Sequence, residues 1–255
     1  MYAREVAFAH HLADVAAEIG LGRFRRTGLE VKAKADRTLV TDADLAIEAA
    51  IRREIGATFP EDRILGEEEG GSHEPSGRVW VIDPIDGTAN YARGIPIWGV
   101  LVALRIDGRS VVGVADAPAL GERYAAAVDG PATLNGEAIH VSEVAAIEDA
   151  HVLYAQLGDV LRGPLHDGVE GLIRDAWRDR GFGDFWAHML VAGGGADVML
   201  EPELNLWDFA ALEPIVAAAG GRMTTFEGDP PAHKGSVVTT NGHLHDEVLR
   251  RLAAR

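Results

Sequence analysis

The chain has 255 residues, 47% hydrophobic and 25% charged, a balance that excludes a disordered or fibrous protein and allows a sizeable core. Its 40 acidic residues against 24 Lys and Arg give a formal charge of −16, the wrong sign for gripping a nucleic-acid backbone. The absence of cysteine excludes disulfides, thiolate nucleophiles, zinc–thiolate sites and iron–sulfur clusters.

Residues 2–19 mix apolar positions with His10, His11, Asp14 and Glu18, which reads as an amphipathic helix and not as a secretory signal. The helix is expected to give way near Gly20 and Gly22. His10 and His11 are adjacent, so they point to different sides and read as surface or packing residues. A polar stretch, 32–37, leads to Thr41 and Asp44, which have capping-box spacing with Asp in place of Glu or Gln. Leu45, Ile47, Ile51 and Ile55 then give the following helix an apolar face. Val79-Trp80-Val81-Ile82 reads as a buried strand that stops at Asp83-Pro84. Residues 98–106, a tight turn at Asp107-Gly108 and residues 110–115 form a predicted hairpin, and 123–128 adds a third strand. Such a meander speaks against a Rossmann-like parallel sheet. The longest apolar run, 95–104, is too short to span a bilayer and contains Pro96 and Gly99, so no membrane association and a cytoplasmic location are expected.

From about Ser142 the pattern alternates: a strand at 150–154, helices at 164–180 and 184–193, a strand at 196–201 and a helix at 207–219. Pro214 is expected to kink that last helix and Gly220-Gly221 to end it. Strands at 222–226 and 236–240 and a C-terminal helix follow. His243 and His245 open that helix and read as solvated, while Trp80, Trp98 and Trp207 read as packing residues. The fold class is layered α/β (α+β) with a largely antiparallel N-terminal sheet. The expected division is an N-terminal lobe, 1–145, carrying the metal-binding loops, and a C-terminal lobe, 146–255, completing the site.

Three segments place carboxylates where turn residues usually stand: Gly66-Glu67-Glu68-Glu69-Gly70, Asp83-Pro84-Ile85-Asp86-Gly87-Thr88-Ala89-Asn90-Tyr91 and Trp207-Asp208. Singly, each has a plain structural reading: a solvated turn, a strand terminator, a helix N-cap. Together they suit magnesium, which takes oxygen ligands from a few converging carboxylates and carbonyls. Asp83 and Asp86 are spaced so that one can bridge two ions and the other bind the second, with the Ile85 carbonyl turned inward. Gly87 permits close backbone approach, and the free N–H groups of Asp86, Gly87 and Thr88 can hold a phosphate.

The segment from Trp80 to Tyr91 resembles the first signature of the inositol monophosphatase family. Trp207-Asp208 through Ala210-Ala211 to Ala219-Gly220-Gly221 resembles the second. Gly66-Glu67-Glu68 is similar to the family's glutamate loop, and Val40-Thr41-Asp42-Ala43-Asp44 to an upstream segment. This resemblance implies an αβαβα sandwich, commonly homodimeric, dependent on Mg²⁺ and inhibited by Li⁺, that hydrolyses a small phosphate monoester. It implies that Glu67, Asp83 and the Ile85 carbonyl hold one ion, that Asp83, Asp86 and Asp208 hold a second, and that Glu67 touches a weaker third. It further implies that Thr88 and Asp44 orient and deprotonate the attacking water, that Gly87 lies against the substrate, and that Glu201 contacts the substrate alcohol. A basic residue before the Thr-Asp segment would be Lys34 in preference to Lys32. Ala218 departs from the usual Glu of the second signature, and Gly130-Pro131-Ala132 from a glycine-rich turn, which puts loop shape or dimer contacts in doubt. Residues 180–188 and Glu201-Pro202 look most like the histidinol-phosphate phosphatase branch, and so point to histidine biosynthesis, with Asp184 either touching substrate or capping a helix. Inositol phosphate and other sugar or nucleotide phosphates stay open as substrates. A non-catalytic relative that binds a phosphate metabolite is the alternative of another class.

Overall fold

The computed structural model describes residues 1–34, 38–72, 76–158 and 166–253. Residues 35–37 of the polar stretch and the first two residues of the predicted helix at 164–180 lie outside the described residues.

Helix α1 (Ala3–Arg23) and, after the short hairpin β1 (Val31–Ala33) and β2 (Leu39–Thr41), helix α2 (Asp42–Thr58) pack together on one face of an eight-stranded sheet. Contrary to the expected break, α1 runs through Gly20 and Gly22. Gly20 is there because Trp98 is pressed against it: a Cβ would meet the indole at 2.7 Å, and Tyr91 donates its hydroxyl hydrogen bond to the Gly20 carbonyl at 2.7 Å. The buried face of α2 is Ala43, Ile47, Ile51 and Ile55, whereas Leu45 points outward and is 46% exposed. At the start of α2 both halves of the capping box form, with Thr41 N donating to Asp44 Oδ2 at 2.9 Å and Ala43 N to Thr41 Oγ1 at 3.2 Å.

The sheet contains β3 (Arg63–Gly66), β4 (Gly70–Gly71), β5 (Arg78–Asp86), β6 (Gly99–Ile106), β7 (Arg109–Ala117), β8 (Glu122–Ala127), β9 (Thr133–Leu134) and β10 (Glu137–Ala138). Their order is β10-β9-β8-β7-β6-β5-β3-β4, and among the described residues β3 with β5 is the one parallel pair of this sheet. The β6–β7 turn places Asp107 and Gly108 at φ 49° and 80°, the left-handed pair that a tight hairpin turn requires. Strand β5 does not stop at Asp83-Pro84. It continues to Asp86 through a register shift against β6, so the proline sits at an irregularity where its missing N–H is tolerated.

The second sheet orders β12 (Arg178–Arg180), β11 (His151–Tyr154), β13 (Val198–Asn205), β15 (Lys234–Thr240) and β14 (Arg222–Thr224). Helices α5 (Asp184–Ala192), α6 (Leu206–Phe209) and α7 (Leu212–Ala218) fill the space between the two sheets. Helices α4 (His166–Asp175) and α8 (His245–Ala253) cover the outer face, completing an αβαβα sandwich. The helix expected to reach residue 180 ends at Asp175, because Arg178–Arg180 pairs with β11 as an edge strand. The helix expected at 207–219 is two helices, α6 and α7. Pro214 falls in the first turn of α7, where a missing N–H is harmless, so it marks a new start instead of a kink. His245 is not solvated: it is fully buried between the hydroxyls of Thr224 and Thr240, at 3.1 and 2.9 Å. No helix among the described residues is long and apolar enough to cross a membrane.

Candidate active site

Alternation along β5 turns Trp80 and Ile82 toward α1 and α2, and Val79 and Val81 toward the middle helices. Asp83 follows Val81 on that second face, toward α6, which carries Asp208. Asp83, Asp86 and Asp208 each offer a carboxylate oxygen, and these atoms lie within 4.8 Å of one another. Asp208 is the third residue of α6 and accepts from the backbone N–H of Asn205, the N-cap, at 2.6 Å, so it is braced by the cap without being the cap itself. Asp86 Oδ2 accepts from Phe185 N in the first turn of α5 at 2.6 Å. Asp83 is buried, and its Oδ1 has no hydrogen-bond partner.

Electrostatics follow from this crowding. Burial, then Glu67, Asp86 and Asp208, holds the Asp83 carboxyl well above its ordinary range. Burial, then Asp184 and Asp208, does the same for Asp86. Burial pushes Asp208 up to about 7, against the Asn205 N–H that favours its charged form. Among the described residues no Lys or Arg meets these three carboxylates, and buried carboxylates gathered without a cation need a positive charge from outside. The oxygen-only donor set, with the orphaned Asp83 Oδ1 among it, fits a hard divalent metal ion.

Glu67 reaches the same cleft from the loop after β3, and Ile85, Gly87, Thr88 and Asp184 also line it; its volume is about 300 Å³. Thr88 opens the short helix α3 (Thr88–Ala92), behind Gly87 at φ 81°. Its hydroxyl lies 3.1 Å from Asp44 Oδ1 and 2.9 Å from the Ile85 carbonyl. One proton cannot serve both acceptors, so a cation on the Ile85 carbonyl would direct it to Asp44. Asp44 is fully buried, and burial raises its carboxyl against hydrogen bonds from Thr41 and Thr88.

Asp184 is the first residue of α5, and the N-cap is Gly183, so the plain capping role does not hold. Its Oδ2 instead accepts from Asn90 Nδ2 at 2.9 Å. Glu201, on β13 just before a register shift, is buried with Oε2 unpartnered, and its carboxyl is raised by burial, then by Asp184 and Asp208. Lys34, not Lys32, faces the glutamate loop, at 2.9 Å from Glu67 and 2.7 Å from Glu68, while Lys32 pairs with exposed Glu30 at 3.8 Å.

Two contributors, Glu48 and Gln156, escaped the sequence reading. Glu48 is fully buried and accepts from the backbone N–H groups of Glu68 at 2.8 Å and Glu69 at 3.0 Å, which fixes the glutamate loop. Its i,i+4 spacing from Arg52 was the available signal. Gly66 is glycine because a Cβ would run into the Glu48 carboxylate at 2.1 Å. Gln156, at φ 47°, lines the cleft from the segment that follows β11, and no local pattern marks it.

The chain is 44% identical over 255 residues to a histidinol-phosphatase of Mycobacterium tuberculosis, spanning 98% of each, and 42% identical over 263 residues to a histidinol-phosphatase of Streptomyces coelicolor, spanning 100% of this chain and 98% of that one. Its fold is similar to an IMPase of Thermotoga maritima (TM-score 0.89, 30% identity, 98% and 96% of the two chains). It is also similar to an inositol monophosphatase of Zymomonas mobilis (TM-score 0.86, 32% identity, 100% and 99%). The family model described as inositol monophosphatase matches residues 2–255, and with that match the chain is a phosphoric monoester hydrolase that belongs to the inositol monophosphatase family.

Proposed function

We propose that this enzyme is a Mg²⁺-dependent histidinol-phosphate phosphatase. The observation that carries the substrate choice is the pair Asp184 and Glu201, two carboxylates outside the Asp83–Asp86–Asp208 triad that repel one another and, among the described residues, have no cation of their own. A substrate with an ammonium and an imidazole supplies those charges, whereas a neutral polyol does not. The two named relatives support the same choice.

In this reading Glu67, Asp83 and the Ile85 carbonyl hold one ion, Asp83, Asp86 and Asp208 a second, and Glu67 touches a third. The ions, when bound, lower the pKa of water and neutralise charge on the phosphoryl oxygens. The backbone of Asp86, Gly87 and Thr88 cradles the phosphate at the start of α3. Thr88 orients the attacking water and relays its proton to Asp44. Water oxygen bonds to phosphorus, the P–O bond to the alcohol breaks, and the leaving alkoxide takes a proton from solvent, to which Asp44 returns the one it accepted. Asp184 and Glu201 hold the cationic end. Residues 1–145 would thus supply the triad's first two members and the water-activating pair, and residues 146–255 Asp208 and the cation-binding carboxylates. A homodimer rests on the family resemblance alone and a cytoplasmic location on the sequence reading, and light scattering of the purified enzyme tests the dimer.

Assay of histidinol phosphate, inositol 1-phosphate and p-nitrophenyl phosphate side by side, with chelator, Mg²⁺ or Ca²⁺, tests the whole reading. Activity is expected with Mg²⁺ only, and the highest kcat/KM with histidinol phosphate. A higher kcat/KM for inositol 1-phosphate sinks the substrate assignment, and full activity in chelator sinks the metal assignment.

A further inference from the structure

Asn90 sits in α3, the helix that begins at the phosphate-cradling residues. Its Nδ2 donates to the Ile97 carbonyl at 2.9 Å and to Asp184 Oδ2 at 2.9 Å. Both partners are acceptors only, so the amide has one possible orientation, and both of its protons are used. Gly87 lies beside this meeting, at φ 81°, and a Cβ there would crowd, at 3.1 Å, the Ile97 carbonyl oxygen that Asn90 also binds.

Asp184 itself has φ 58°, in the left-handed region, a strained position for a residue other than glycine. Strain of this kind persists only where the surroundings fix it. Here the Phe185 N–H is held by Asp86 on one side and the Asp184 side chain by Asn90 on the other, while Gly183 contributes no side-chain cap. The direction of the Asp184 carboxylate is therefore set by α3 and not by its own helix.

We propose that Asn90 is a specificity-positioning residue: by holding Asp184, it fixes where the cationic end of the substrate binds relative to the phosphate on Gly87 and Thr88. Asn90 thereby ties the cation-binding end of the site to the segment that carries Gly87 and Thr88. This rests on the reading of Asp184 as a cation-binding carboxylate.

The test uses full-length Asn90→Ala, Asp184→Asn and the double variant, with Mg²⁺, on histidinol phosphate and p-nitrophenyl phosphate. Asp184→Asn keeps a residue that tolerates left-handed backbone and can still accept from Asn90, and removes only the charge. Asn90→Ala is expected to lower the ratio of kcat/KM for histidinol phosphate over the aryl phosphate by about tenfold, the scale of one hydrogen bond to a charged group, mainly through KM. The double variant should show no lower ratio than Asp184→Asn alone, because a neutral side chain gains nothing from being aimed. If Asn90→Ala depresses Tm too far to assay, Asn90→Ser, polar but too short for both acceptors, takes its place. Multiplying losses in the double variant, or equal losses on both substrates in Asn90→Ala, overturn the positioning role. An unchanged ratio in Asp184→Asn overturns the cation-binding reading itself, and this inference with it.

Discussion

Two acidic regions border the cleft, and they differ in how their charge is met. Around the glutamate loop, Glu48 takes two backbone N–H groups and the Arg52 guanidinium, at 2.8 to 3.0 Å, and Glu68 takes the Lys34 ammonium at 2.7 Å. Around β5 and α6, Asp83, Asp86 and Asp208 meet one another, two backbone N–H groups, the Asn205 side-chain amide and, among the described residues, no Lys or Arg, and Asp83 Oδ1 meets no partner there. Both regions are buried and rich in carboxylates. Burial alone therefore does not mark a metal site; a shortage of internal counter-charge does.

The sharpest way to break that comparison is Asp83→Asn. Residues that merely brace metal ligands are worth about 10–100-fold, so loss of this one is expected to lower kcat by more than about 10²-fold. The same change should raise Tm in chelator, because it removes a carboxylate held under repulsion. A lower Tm in chelator would mean that Asp83 is satisfied within the protein. Asp208 gives the pH form of this prediction. Burial pushes its folded-state carboxyl up to about 7, above the unfolded value of about 3.9, so its share of stability is present at low pH and is lost as pH rises toward 7. His188 runs the other way: burial lowers it to about 3, so stability falls as pH drops below about 6.5. In metal-free protein, Asp208→Asn should flatten the decline between pH 5 and pH 7 in unfolding measurements, and leave the His188 limb in place.

Next in size is Thr88→Ala. Removing the water-orienting hydroxyl is expected to lower kcat by about 10²-fold, within the range for general acid–base groups, with little change in the Mg²⁺ needed for half-maximal activity. A matching rise in the Mg²⁺ requirement would place Thr88 with the metal and not with the water.

The legibility of the two regions in the sequence also differs. Asp83, Asp86 and Thr88 stand close together in one segment and Asp208 in a second short motif, so residue types and the family resemblance could put them forward together, and the structure brings the three Asp carboxylates within 4.8 Å. The braces are long-range. Glu48 reaches the glutamate loop from 20 and 21 positions away, and Asn90 reaches Asp184 across 94, so no local pattern could reveal either contact. Strand β5 was cut short at Pro84 because a proline was read as a terminator, when the register shift beside it absorbs the missing N–H. The layered architecture was legible from the meander and the alternation after residue 142, while the helix breaks near 176 and 210 depended on pairing with β11 and on packing between the sheets.

Glu48→Gln is a milder perturbation, on the well-satisfied side. It keeps the shape and one acceptor but weakens bonds made by a charged group, and should destabilise by about 1.5–3 kcal/mol. Loosening of the glutamate loop should lower activity about tenfold, at the low end for a brace behind a metal ligand, with partial recovery at high Mg²⁺. Unchanged stability would show that backbone geometry, not Glu48, holds the loop.

The smallest effects, and the most diagnostic in sign, concern Lys34. Its ammonium is 23% exposed and shared between Glu68 and Glu67, and although burial opposes its charge, bonds from both glutamates raise its pKa. Glu68 lies outside the proposed ligand set, whereas Glu67 lies within it. In Glu68→Gln the ammonium keeps one carboxylate, Glu67, and competes there with the metal. The Mg²⁺ concentration for half-maximal activity should then rise about two- to fivefold, the scale of a partly solvated ion pair, with kcat at saturating Mg²⁺ unchanged. Lys34→Met should act in the opposite direction, since it removes the competitor and leaves two neighbouring carboxylates that a cation would stabilise. Metal titrations of both variants with one substrate decide the matter. Shifts of the same sign would show that Lys34 supports the loop's shape and does not compete for Glu67, and the glutamate loop would then be a structural neighbour of the metal site with no share in tuning it.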